Sequence, residues 1–206
     1  MKKSIDSAVF EQLKNEIIRN RLHQGDKLSE EMLCERFHAS RTPVRRAIHR
    51  LEMLGLVEVH DGVGTFVSMI TEEDVKNAFE IRCIAEKYAA IHAIQVIPDS
   101  QIDQQEQIFL KIQSQLEKGG YGSSFEDMIQ ADWDLHDLII HNSGNPLLAG
   151  TVEPVTILLR RCQFVYISQY GRATRDHLEI VHYLRKRDYP GLCAVLDRHL
   201  KFMPNT

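Results

Sequence analysis

Apolar residues recur at three- and four-residue spacing from the start of the chain. Val9, Leu13, Ile17 and Ile18 mark one stripe of a helix predicted from about Ser7 to Arg21. A second short helix is predicted from Ser29 to about Phe37, with Met32, Leu33 and Phe37 turned inward, and a turn at His38-Ala39-Ser40 leads into a third. In that third helix Val44, Ala47, Ile48 and Leu51 form the buried stripe, Ser40 is the candidate N-cap, Pro43 sits harmlessly in the first turn and Gly55 supplies the stop. The period then changes. Leu56-Val57-Glu58-Val59, a turn Asp61-Gly62-Val63-Gly64, and Thr65-Phe66-Val67 predict a β-hairpin. Two helices joined by a tight turn and followed by such a hairpin make a winged helix-turn-helix.

From Thr71 onward strand character disappears. Six helices are predicted, at about Thr71 to Val96, Asp99 to Lys118, Ser124 to Asn142, Pro146 to Ser168, Thr174 to Lys186 and Asp188 to Phe202. The breaks fall at Pro98-Asp99, Gly119-Gly120-Tyr121-Gly122, Ser143-Gly144-Asn145-Pro146 and Gly171, and Pro154 should kink the fourth of these helices. The expected fold class is mainly α. An N-terminal winged helix-turn-helix with a small β-hairpin wing occupies residues 1 to 70, and an antiparallel all-α bundle for effector binding and dimerisation occupies residues 71 to 206.

Charge sharpens the picture of the third helix. Ser40 to Arg50 holds four arginines and no acid, and the apolar stripe leaves Arg41, Thr42, Arg45 and Arg46 on the exposed N-terminal end. A basic run by itself is commonly a solvated face. The order of helix, turn, arginine helix and hairpin instead suits a recognition helix presented to base edges of double-stranded DNA. Residues 1 to 70 carry 11 Lys/Arg against 10 Asp/Glu, while the remainder carries 14 against 19, so binding would rest on local clustering and on a homodimer doubling the contacts. The chain of 206 residues is 43 % hydrophobic, with no apolar run of membrane-spanning length and no secretory signal before the first helix, which predicts a cytoplasmic protein without a membrane partner. The cysteines Cys34, Cys83, Cys162 and Cys193 are far apart and are expected to be reduced core residues.

Polar residues interrupt the stripes of the predicted bundle. Phe125, Met128, Ile129, Asp132, His136, Ile139 and Ile140 share one face of the third bundle helix. His177 lies with Ile180, Val181 and Leu184, and His199 with Leu192, Val195, Leu196 and Met203. A buried carboxylate needs a cation or strong donors. For any one of these histidines a hydrogen-bonded core residue is the plain alternative, and His141 and His182 fit that description. Asp132 and His136 at i,i+4 share a face, as two ligands of one ion require, and three nitrogens with one oxygen suit zinc, nickel or another first-row divalent ion.

The runs Gly25-Asp26-Lys27-Leu28-Ser29-Glu30, Ser40-Arg41-Thr42-Pro43-Val44-Arg45, Gly55-Leu56-Val57 and Gly62-Val63-Gly64-Thr65-Phe66-Val67 resemble the DNA-binding domain of GntR-family bacterial regulators. That resemblance implies base reading by Arg41 and Arg45, phosphate or base contacts by Ser40 and Thr42, and a minor-groove wing tip at Gly62. Arg46 stands where the family usually has glutamate, adding phosphate affinity, and Asp61 adds a negative charge beside the wing tip. Asp132-Trp133-Asp134-Leu135-His136, Ser143-Gly144-Asn145-Pro146-Leu147, Asp176-His177-Leu178-Glu179-Ile180 and His199-Leu200 resemble the FCD effector domain of the FadR branch, in a six-helix, VanR-like form. This implies a metal on Asp132, His136, His177 and His199. Glu80 to Glu86 resembles the family's arginine-bearing segment, so Arg82 would clamp a carboxylate effector; an i,i+4 ion pair with Glu86 is the competing role. The function expected is a ligand-responsive regulator, a repressor by preference, on a palindromic operator with a small organic acid as effector. A metal-dependent enzyme on the bundle and a metal sensor without an organic effector are the alternatives.

Overall fold

The computed structural model describes residues 4–118, 124–165 and 170–201. Two compact units emerge, one of residues 1–75 with 153–166 and one of residues 76–152 with 167–206. The helix α7 (Leu148–Val165) therefore contributes to both, and the division falls one residue before Pro154.

In the first unit, α1 (Ile5–Ile18), α2 (Glu30–Phe37) and α3 (Arg41–Met53) enclose a core of Val9, Leu13, Ile17, Leu33, Val44, Ala47, Ile48 and Leu51. Met32 departs from expectation, being 67 % exposed, because neighbouring helical residues point about 100° apart and Leu33 is the one that faces the core. Ser29 caps α2 by accepting from the Met32 amide at 3.5 Å. Ser40 occupies the N-cap position of α3 but makes no capping bond, which leaves its hydroxyl at the exposed helix end. His38 carries α2 into the turn with φ 48°, and Gly55 ends α3 with φ +67°.

The wing consists of β2 (Val57–His60) and β3 (Gly64–Val67), antiparallel with His60 opposite Gly64. A third strand, β1 (Lys27–Leu28), pairs with β3 to give the order β1-β3-β2. Two residues carry no readable alternation, so this strand exists only because β3 offers an edge. Arg161 of α7 is 4 % exposed and donates to Ser68 Oγ and Ser68 O, both at 2.8 Å, tying α7 to the end of the wing inside this unit.

The second unit is built from α4 (Glu72–Val96), α5 (Asp99–Glu117), α6 (Ser124–His141), α8 (Tyr170–Lys186) and α9 (Tyr189–His199), with the start of α7. With α7, six helices follow the wing among the described residues. Ala89, Ala93, Ile94, Ile102, Phe109, Leu135, Ile139, Ile180, Leu192 and Leu196 make its core. Small residues on α4 let neighbouring helices approach closely. Asp188 caps α9 by accepting from the Gly191 amide at 3.1 Å. Gly171 lies inside α8 instead of separating helices, since one glycine costs only about 1 kcal/mol in a helix held by packing. The break expected at residues 119–122, Ser168, Phe202 and Met203 lie outside the described residues. Of the cysteines, all free, only Cys162 is buried; Cys34, Cys83 and Cys193 are half-buried, a correction to their expected place in the core.

Candidate effector site and DNA-binding face

The α6 stripe carries Asp132 and His136 into the interior of the second unit, where they are 6 % and 3 % exposed. α8 brings His177 and α9 brings His199. One ligand atom from each of the four residues lies within 4.8 Å of every other. His177 Nε2 is 2.9 Å from Asp132 Oδ1, His136 Nε2 is 3.2 Å from His199 Nε2, and His136 Nε2 is 3.7 Å from Asp132 Oδ1. Ligands about 2.0–2.1 Å from a tetrahedral ion are separated by about 3.3 Å, so these spacings match a coordination shell. His177 Nε2 is buried and lies 2.9 Å from Asp132 Oδ1, and beyond that contact it has no hydrogen-bond partner among the described residues. Four donors this close together could hold a metal ion.

Electrostatics agrees with that chemistry. Burial is the largest influence on His136, His177 and His199 and lowers all three below the ordinary 6.5, favouring the neutral imidazole that binds metals. Burial alone would raise Asp132, but His177, His136 and Arg82 hold its carboxyl well below the usual range. Arg82 donates from Nε to Glu86 Oε1 at 2.6 Å and places Nη2 3.8 Å from Asp132 Oδ2. The i,i+4 ion pair is therefore made, and the guanidinium also borders the ligand cluster. Behind His199, Asp176 Oδ2 lies 3.6 Å from Nδ1; burial would raise this carboxyl, yet His199 and Arg198 bring it down to about 2.

Two carboxylates escaped the sequence reading. Glu86 was visible only as a partner for Arg82, whereas it is fully buried and also reaches His136 Nδ1 at 2.6 Å, fifty residues away. Asp176 is 5 % exposed beside His177. Its position one residue before His177 puts it on a different face, and no local signal tells that this face also meets α9. His141 and His182 lie on the surface; His141 Nδ1 is 2.8 Å from the Asp137 carbonyl.

In the first unit Arg41, Thr42, Arg45 and Arg46 are exposed at the start of α3. Arg45 is tethered through Nε alone to Glu30, at 2.8 and 2.9 Å from its two oxygens, which leaves the outer edge of the guanidinium to solvent. Gly62 has φ +72° at the wing tip, where a side chain would meet no neighbouring atom, so its backbone geometry and not crowding calls for glycine. Lys27 on β1 lies over the Phe66 ring with Nζ 5.6 Å from its centre, adding a cation to the wing that the sequence reading did not single out.

A three-helix core with a basic third helix and a wing, joined to a separate helical unit with an internal polar cluster, is the architecture of a two-domain DNA-binding regulator. Residues 5–67 match the family of bacterial regulatory proteins, gntR family, and residues 77–202 match the FCD domain. The chain belongs to the GntR family of transcriptional regulators, in its FCD-containing branch. It is 26 % identical over 200 residues to the HTH-type transcriptional repressor RspR of Escherichia coli, covering 96 % of this chain and 86 % of that protein. Over 155 residues it is 30 % identical to the HTH-type transcriptional regulator LutR of Bacillus subtilis, covering 67 % and 68 %. The fold matches that of E. coli McbR/YncC with a TM-score of 0.77 at 21 % identity, over 96 % of this chain and 94 % of that one. These relatives are transcriptional regulators and not enzymes, which removes the expected alternative of a metal-dependent enzyme. No helix among the described residues is long and apolar enough to cross a membrane.

Proposed function

We propose that this GntR-family regulator is a cytoplasmic repressor that binds a palindromic operator as a homodimer. In this reading a small organic acid, held by a divalent metal on Asp132, His136, His177 and His199 and by Arg82, modulates its grip on DNA. The convergence of those four donors, each offering an atom within 4.8 Å of every other, carries the proposal. The donor set fits zinc or nickel. When bound, the ion would supply a Lewis-acidic anchor for a carboxylate. With neutral imidazoles, Arg82 against Asp132 and Glu86 leaves one net negative charge. A divalent ion reverses that sign, and an anionic ligand then restores neutrality, so a monocarboxylate is the favoured effector class.

Ser40, Arg41, Thr42, Arg45, Arg46 and Gly62 form the proposed DNA contact. Arginine at positions 41 and 45 suits bidentate reading of guanine. Dimerisation is supported by α4, where Ile81, Ile84, Tyr88 and Ile91 are 47–69 % exposed at the alternating three- and four-residue spacing of a helix–helix seam. A two-fold dimer calls for a two-fold operator.

The test is elemental analysis of the purified protein beside a His177→Ala, His199→Ala double variant, followed by thermal melts with small carboxylic acids, with and without metal. About one ion per chain, lost in the variant, with acid-induced stabilisation only in metal-loaded wild type, is the result expected. Metal-free protein with full helix content in both forms would overturn the pocket and leave the DNA-binding half standing. Stabilisation by an exchangeable metal but by no acid would turn the reading into a metal sensor.

A further inference from the structure

Glu86 is completely buried, yet it is a carboxylate with two partners on two helices. Its Oε1 accepts from Arg82 Nε at 2.6 Å, and its Oε2 lies 2.6 Å from His136 Nδ1. Neutralising Arg82 would require only the first contact. The second has a chemical consequence, because a carboxylate can only accept and a neutral imidazole has a single N–H. The proton of His136 must then sit on Nδ1, leaving a lone pair on Nε2. That lone pair is the atom 3.2 Å from His199 Nε2 and 3.7 Å from Asp132 Oδ1.

We propose that Glu86 is a positioning residue of the ligand cluster: it fixes His136 in the Nδ1–H tautomer and holds the ring so that Nε2 faces the metal position. The inference rests on the metal site proposed above. Arg82 sustains the arrangement from the far side, since its guanidinium keeps the carboxylate charged inside the protein. A carboxylate behind a ligating imidazole fixes ring orientation and raises the ligand's basicity. Glutamine cannot replace it. An amide turned so that its oxygen accepts from Arg82 presents its NH2 to His136 Nδ1, which favours the Nε2–H tautomer and removes the lone pair from the cluster. Turned the other way, it sets an N–H against the Arg82 N–H.

The tautomer is read directly by long-range proton–nitrogen correlation on metal-free, full-length protein labelled with 15N-histidine at neutral pH. His136 in wild type is expected to carry its proton on Nδ1, and in Glu86→Gln to shift towards Nε2–H. Cobalt(II) affinity, followed by its visible absorption and by competition with a chelating indicator, should fall roughly 10- to 100-fold in the same variant. An Nε2–H tautomer in wild type overturns the proposal without any variant, so a poorly folding Glu86→Gln does not shield it. Unchanged tautomer and cobalt affinity in Glu86→Gln overturn it as well. Wild type that holds the Nδ1–H tautomer but takes up no cobalt refutes the metal site itself. Cobalt bound equally by both forms, with the tautomer altered, refutes only the positioning role.

Discussion

At the scale of single residues, Arg45 and Glu30 show how a side chain proposed to read DNA is held in place without DNA. The Nε tether fixes the long arginine while keeping its outer nitrogens exposed, which reduces the rotamer entropy lost on binding. Arg41→Ala and Arg45→Ala are each expected to lower operator preference over random DNA by roughly tenfold or more, as measured by titration of both DNAs at fixed salt. An equal loss on both DNAs would make these residues phosphate contacts. Glu30→Gln should weaken the operator complex by a smaller factor, because Arg45 then has more conformations to give up. These exposed arginines were legible from their spacing, since a stripe of Val44, Ala47, Ile48 and Leu51 leaves only one face for them. Glu86 was not legible as a partner of His136, because a contact across fifty residues leaves no local trace.

At the scale of elements, α7 and α4 carry features that periodicity reports incompletely. Arg161 on α7 is buried with neutral partners, its guanidinium holding the hydroxyl and carbonyl of Ser68, and burial lowers its proton affinity. Arg161→Ala is expected to destabilise the first unit by about 1–3 kcal/mol in denaturant unfolding, because the Ser68 carbonyl loses its donor. A neutral result would mean that water replaces the guanidinium there. On α4 the exposed apolar seam is the proposed dimer face. Ile84→Glu is expected to halve the solution mass in light scattering while leaving the helical signal intact, and an unchanged mass would place dimerisation elsewhere. Helix existence and order were readable from three-four spacing and from Pro98, Gly55 and Asp188. Strand β1 was not, since a two-residue strand is specified by the edge it joins.

At the scale of the whole molecule, the buried histidines make stability depend on pH. Their proton affinities are lowered mainly by burial, so below the ordinary value of 6.5 the unfolded chain takes up protons that the folded chain refuses. Stability of the second unit is therefore full above that value and is lost as pH falls from it towards the depressed values of the fold. The surrounding charges, Arg82, Glu86, Asp132 and Asp176, are all part of this balance. Asp132 and Asp176, whose affinities are also lowered, contribute stability above 3.8 that disappears only in stronger acid, towards about 2 for Asp176. Melts of metal-free protein are expected to show falling midpoints from pH 7 to about pH 5, with added zinc or nickel raising the midpoint at pH 7 and losing its effect as the imidazoles protonate. A midpoint flat across that window would show that the histidines are not held neutral by the fold.

The sequence by itself determined the two kinds of architecture, the winged helix-turn-helix and the helical bundle, because both are written in local periods of apolar residues and in turn chemistry. It also placed Asp132, His136, His177 and His199 on inward faces, which is a property of each helix alone. Tertiary structure decided which inward faces meet. Only the packing of α4, α6, α8 and α9 brings the four ligand atoms together, sets Glu86 behind His136 and lays Arg82 beside Asp132. The physical reason is that a helix period fixes the direction of a side chain about its own axis, while the distance to a partner on another helix depends on how close-packed cores set axial position and crossing angle.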